Sequence, residues 1–179
     1  TDVNSLFRRV LTQSTGAYVG GAVWISKDEI VFVSIGPVAI GPDSAANGIT
    51  MQGELWSSNA RTLRTRKVAD LGASGNNGFE FAALPNSGMV YVRVERDVSG
   101  KETSSILCLY TSDTNAVREI ARFNARSITG ISVSPDGKRV ALVAGSSSFG
   151  EVWLVDIDSP TRRMVAGPVG AKTPLFWTK

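Results

Sequence analysis

Between residues 128 and 167 the chain changes its hydrophobic rhythm four times. ITGISV at 128–133 alternates polar and apolar residues and runs into Ser134-Pro135-Asp136-Gly137-Lys138. RVALVA at 139–144 is a nearly unbroken apolar run, and a loop of small residues follows it. EVWLVDI at 151–157, a second turn and RRMVA at 162–166 complete the stretch. A period of two marks strands, whereas proline's fixed φ followed by glycine's tolerance of positive φ marks a tight turn between them. The stretch therefore predicts four short antiparallel strands.

The same texture recurs upstream. AYVGGAVWI at 17–25, IVFVSI at 30–35, GELWSS at 53–58 and TLRTRKVADL at 62–71 form one set. GELWSS parallels GEVWLV at 150–155, with Trp56 matching Trp153. The connection at 35–51 carries two prolines and three glycines and is longer than a hairpin needs. A long loop is a place to look for binding, so Asp43 and Asn47 are candidate interaction residues; an adaptable crossover loop is the plain alternative. GASGNNG at 72–78 reads as a linker. FEFAAL at 79–84, MVYVRV at 89–94, SILCLYT at 105–111 and AVREIARF at 116–123 form a further set. Propensity alone makes the last of these helical, but its place in the repeat predicts a strand. At the ends, SLFRRVLTQS (5–14) alternates as a strand, with a short amphipathic helix over 3–11 as the competing reading. PLFWTK (174–179) reads as one more first strand.

Taking the residue before each turn as a marker gives Trp24, Ala83, Val133 and Trp177, spaced 59, 50 and 44 residues apart. Units of roughly 40–50 residues with four strands each are the mark of propeller blades, which bury both faces of their middle strands by stacking. The fold class expected is all-β, a partial β-propeller in one domain. About three four-stranded antiparallel blades (17–71, 77–123 and 127–167) are joined by an incomplete blade, split between leftover strands at 5–14 and 172–179. Three blades leave apolar faces and strand edges open, so the rest of the propeller is expected from the same protein, a second copy or another chain.

Composition narrows the chemistry. The 179 residues contain no histidine and one cysteine, which removes Ser-His-Asp and Cys-His catalysis and multi-thiolate zinc sites from this stretch. Cys108 lies in an apolar strand pattern and reads as a small buried hydrophobe. The net charge of +3 is mild and the arginines lie apart, so no nucleic-acid partner is expected. RTLRTRK is the best local patch; its alternation predicts that Arg61, Arg64, Arg66 and Lys67 present several cations on one strand face, which a polyanion or an acidic protein or peptide partner could use. No apolar run is long enough for a transmembrane helix. GPVGAKT at 167–173 lacks the spacing of a phosphate loop, and Asp156 and Asp158 lack that of an EF-hand. No cofactor, metal or catalytic residue is assigned.

SVSPDGKRVALVA followed by EVWLVDID resembles the TolB-type, WD-repeat-like propeller motif, in which a Trp-Ser-Pro-Asp-Gly-Lys turn precedes an apolar strand. The match is good over 128–167, moderate over 19–71 and weaker over 79–123. The third repeat has Val133 where the motif has Trp, the first lacks Pro and Gly in its turn, and the second has Asn86-Ser87. The resemblance implies a bacterial, extracytoplasmic protein (periplasmic, secreted or cell-surface), with the cytoplasm as the alternative. The expected function is a non-catalytic scaffold binding a protein or peptide. The alternatives are an accessory or gating domain of a larger oligopeptidase-like hydrolase and a carboxylate-based glycosidase-type propeller using Glu54, Glu80 and Asp136.

Overall fold

β-branched and aromatic residues fill the middle of each apolar run, and turn-forming residues close it, so the chain folds as a series of antiparallel meanders. A computed structural model describes residues 18–37, 51–74, 79–86, 88–124, 126–146, 148–159, 161–171 and 173–178. The strands are β1 (Tyr18–Trp24), β2 (Glu29–Pro37), β3 (Met51–Asn59), β4 (Thr65–Ser74), β5 (Phe81–Leu84) and β6 (Gly88–Arg96). They continue as β7 (Glu102–Thr111), β8 (Ala116–Asn124), β9 (Ser127–Val133), β10 (Arg139–Gly145), β11 (Phe149–Asp156) and β12 (Arg162–Gly170). Sequential strands pair into three four-stranded sheets, β1–β4, β5–β8 and β9–β12, called blades 1, 2 and 3. No helix occurs among the described residues. The chain divides into two compact units, Thr1–Phe79 and Glu80–Lys179. The leftover strand expected at 5–14 lies outside the described residues.

AVREIARF is strand β8, as its place in the repeat required. Its partner β7 is buried almost throughout, and Ile120, Ala121 and Phe123 are buried with it. Tertiary burial outweighs a helical preference of a few tenths of a kcal/mol per residue.

The paired Gly-Glu-x-Trp segments have a common purpose. Glu and Trp two residues apart share one sheet face. In blade 1 the Trp56 indole donates to Glu54 at 3.0 Å; in blade 3 that of Trp153 donates to Glu151 at 3.3 Å. Each glutamate is also met by a cation, Lys67 at 2.7 Å in blade 1 and Arg126 in blade 3. The leading glycine admits close approach: a Cβ on Gly53 would lie 2.2 Å from the Phe79 ring, and one on Gly150 would lie 2.6 Å from Val143.

The Ser-Pro-Asp-Gly turn closes on itself. Gly137 has φ 70°, and its N–H donates to the Ser134 carbonyl at 2.8 Å. Asp136 accepts from the Ser134 hydroxyl at 2.6 Å and the Lys138 amide at 3.1 Å, which holds its carboxyl below the usual range.

In the second unit, blades 2 and 3 stack face to face. Val90, Val92, Leu107, Leu109, Ile120 and Phe123 meet Ile128, Val140, Leu142, Val155 and Ile157 in one buried cluster. The rings of Phe123 and Trp153 meet edge to face at 5.6 Å, and the Arg162 guanidinium covers Phe123 at 4.9 Å. At the inner edge, Gly130 has φ 63° and β9 slips register against β10 between the partners of Ala141 and Val143. The Glu80 carboxylate, just before β5, accepts the backbone N–H groups of Gly130 and Ile131 at this bulge.

Two expectations are corrected. Residues 173–178 form no strand ladder among the described residues; half-buried and exposed residues alternate along them. A strand requires a hydrogen-bonded neighbour, which no described segment supplies. β4 begins at Thr65 rather than residue 62, because the Asn59 side chain collects the Arg61 and Thr62 amides at 3.0 and 2.8 Å. Leu63 takes φ 57° in the resulting turn.

Candidate interaction surface

That turn decides the fate of the basic patch. Arg61 stands in the turn, Arg64 just before β4, and Arg66 and Lys67 occupy adjacent β4 positions, which face opposite ways. The four cations therefore do not share one face, which corrects the alternation reading. Arg61 pairs with Asp28 at 2.8 Å, and Arg66 with Glu29 at 3.4 Å. Lys67 reaches Glu54 at 2.7 Å and Asp70 at 2.6 Å, which raises its pKa, the Asp70 hydrogen bond contributing most. Alternation does not extend over the patch because residues 61–64 precede β4 in the turn held by Asn59, and Arg66 and Lys67 are neighbours in sequence.

A groove of 480 Å³ remains beside the patch, lined by Glu29, Ser57, Asn59, Thr62, Arg64, Thr65 and Arg66. Glu29 forms its floor, with a side chain only 12% exposed that accepts from Ser57 and Arg66. Arg64 is exposed, and no described carboxylate pairs with it. The groove thus offers one guanidinium fork suited to a carboxylate, framed by hydroxyl and amide groups. Asp43 and Asn47 lie outside the described residues. Their loop leaves β2 at Pro37 and re-enters β3 at Met51, whereas the Arg64 turn leaves β3 at Asn59. The two candidate regions therefore attach to opposite ends of β3, about 25–30 Å apart at strand rise.

Sequence reading missed a charge network on blade 2. Arg122 bridges Glu95 at 2.5 Å and Glu119 at 3.1 Å, and Ser104 donates to Glu95 at 2.9 Å. Arg93 lies 3.5 Å from Glu95. Hydrogen bonding to Arg122 and then Ser104 lowers the Glu95 carboxyl, and that to Glu95 and then Glu119 raises the Arg122 guanidinium. The available signal was the charged residues of β6 and β8, the two strands that flank β7 in the sheet.

The groups proposed for glycosidase chemistry are all engaged structurally: Glu54 by Trp56 and Lys67, Glu80 by two backbone amides, Asp136 by its own turn. Among the described residues no three His, Cys, Asp or Glu side chains gather as a metal site. Cys108 is 1% exposed, and burial pushes its thiol up to about 11. A protonated buried thiol is a poor nucleophile. A thiol-disulfide chromogen should therefore label native Cys108 at least roughly a hundredfold more slowly than the denatured chain; equal rates would refute this.

No family model matches the chain, and no curated protein matches it. Solved structures do. A puromycin-hydrolyzing peptidase of Mycobacterium tuberculosis aligns with a TM-score of 0.54 and 13% identity, over 85% of this chain and 24% of the peptidase. An oligogalacturonate lyase in complex with manganese aligns with a TM-score of 0.51 and 13% identity, over 84% of this chain and 42% of the lyase. The chain thus spans about a quarter of one and less than half of the other. Together with its three antiparallel four-stranded sheets, these likenesses establish the fold: an all-β chain of the propeller type, partial against its structural neighbours.

Proposed function

We propose that the chain is a section of the propeller domain of a larger enzyme, where it supplies binding surface and none of the bond-breaking chemistry. The observation that carries this reading is the likeness over 85% of the chain to only 24% of a peptidase. The absence of histidine from the 179 residues and the burial of the single thiol support it. Purified chain, assayed with chromogenic aminoacyl anilides and with oligogalacturonate, should show no turnover above buffer. The longer polypeptide from the same reading frame should turn over one of them. Turnover by the chain alone, or none by the longer polypeptide with any of these substrates, would overturn the reading.

The Arg64 groove favours a second role within that assembly, as a scaffold holding an acidic protein segment. Binding of a fluorescent glutamate-rich peptide should weaken about fivefold in Arg64→Ala, the loss of one exposed charge pair worth about 1 kcal/mol. Unchanged affinity would remove the groove from the reading.

A further inference from the structure

The two blades of the second unit can be superposed rung for rung. Ala83 faces Met89 in blade 2, and Val133 faces Val140 in blade 3. From these markers, Val90, Val92, Leu107 and Leu109 of blade 2 correspond to Ala141, Val143, Val152 and Leu154 of blade 3. All eight are apolar. The blade 2 set is buried against blade 3. The blade 3 set lies on the face turned away from blade 2, where Ala141 and Val143 are buried but Val152 and Leu154 only half so. β12 on the same sheet is exposed along nearly its whole length.

What covers the inner half of this face is the segment 173–178. The Thr129 hydroxyl donates to the Ala171 carbonyl, and the Thr173 carbonyl lies 3.3 Å from where a Gly130 Cβ would stand. Farther along, the Arg139 guanidinium lies over the Trp177 ring at 5.7 Å. The segment therefore runs beside β9 in the same direction. β5 lies beside β9 in the same sense, Glu80 reaching Gly130 and Pro85 lying 3.1 Å from a Gly137 Cβ. Residues 173–178 thus stand where the innermost strand of a following blade belongs. The Trp177 indole Nε1 is buried there without a hydrogen-bond partner.

We propose that this face of blade 3 is the docking face of a fourth blade, with residues 173–178 as its innermost strand and its other three strands supplied by the same polypeptide. The docking body has three strands because the inner place is taken. A second copy is a poor occupant for that reason: its own inner strand would meet residues 173–178. Connectivity favours one polypeptide, since first and second strands are joined by three to five residues in every blade here. The inference rests on the fold and not on the proposed enzymatic context.

The test compares the 179-residue chain with a version extended by roughly 40 residues of its reading frame, one blade's length, each with and without Leu154→Glu. In the chain alone the substitution should shift Tm by no more than about 2 °C, the half-exposed site remaining hydrated. In the extended protein, burial of an unpaired carboxylate should lower Tm by roughly 10 °C or more. The Trp177 indole proton, assigned by Trp177→Phe, should exchange at least about tenfold more slowly in the extended protein once it gains an acceptor. A chain that shows no cooperative transition alone but gains one on extension also supports the docking. Equal Tm shifts with unchanged indole exchange would overturn it. So would a dimer of the 19.0 kDa chain that Leu154→Glu dissociates, or a reading frame without three further strands.

Discussion

Replacing Leu107 with alanine is expected to lower the melting temperature by roughly 10 °C, the largest effect of any single truncation at the interface of blades 2 and 3. Leu107 is 0% exposed and sits mid-strand in β7, opposite Val92 on one side and Ala121 on the other. Its side chain points into the cluster shared with Val140, Leu142 and Val155. Both walls of the resulting cavity are sheets, whose hydrogen-bonded ladders resist collapse, so the cost belongs at about 3–4 kcal/mol within the usual 2–5. Val117→Ala on β8 is the control: its side chain is 41% exposed, and its truncation should change Tm by less than about 2 °C. Thermal unfolding followed by circular dichroism decides the matter. A Leu107 variant as stable as the Val117 variant would show that the two blades do not unfold as one packed body.

Such a core was legible in the sequence because stacking demands apolar residues on both faces of middle strands, and MVYVRV, SILCLYT and RVALVA carry that texture over most of their length. β8 was legible only through its place in the repeat. The basic patch was misread for a local reason. Alternation counts residues as though a strand ran unbroken, yet Asn59 folds the residues before Thr65 into a turn. That event changes neither composition nor period. Glu80 stands in the sequence as one of three candidate carboxylates, but its partners could not be found from sequence. They are backbone N–H groups of another blade, released by a bulge whose only sequence mark is Gly130. The segment 173–178 reads as a strand from its alternation, but no ladder neighbour is described for it; Thr173 approaches β9 at Gly130 and Trp177 lies under Arg139 of β10.

Glu80 should prove the polar counterpart of Leu107. At the β9 bulge the N–H groups of Gly130 and Ile131 leave the ladder with β10 and turn to its carboxylate. Glu80→Ala strands both donors in a half-buried site, and each unmet donor costs about 1–3 kcal/mol, so a loss of roughly 2–4 kcal/mol is expected. Glu80→Gln keeps an acceptor oxygen and should lose less than half of that. The two variants also separate by pH. Burial raises the Glu80 pKa, and the two backbone hydrogen bonds only partly oppose the rise. A raised pKa means that the folded chain holds its proton more tightly than the unfolded chain. The associated stability is therefore fully present below the unfolded value of 4.5 and is lost as pH rises through the folded pKa. Glutamine does not titrate, so the stability of the wild type relative to Glu80→Gln should increase as pH falls from 7 toward 4.5. Urea unfolding of both proteins across that range measures the difference directly. A gap that stays constant would mean that Glu80 is solvated and that the bulge amides are satisfied without it, whereas one that moves in favour of glutamine on acidification would mean that the amide hydrogen bonds outweigh burial and hold the folded pKa below 4.5.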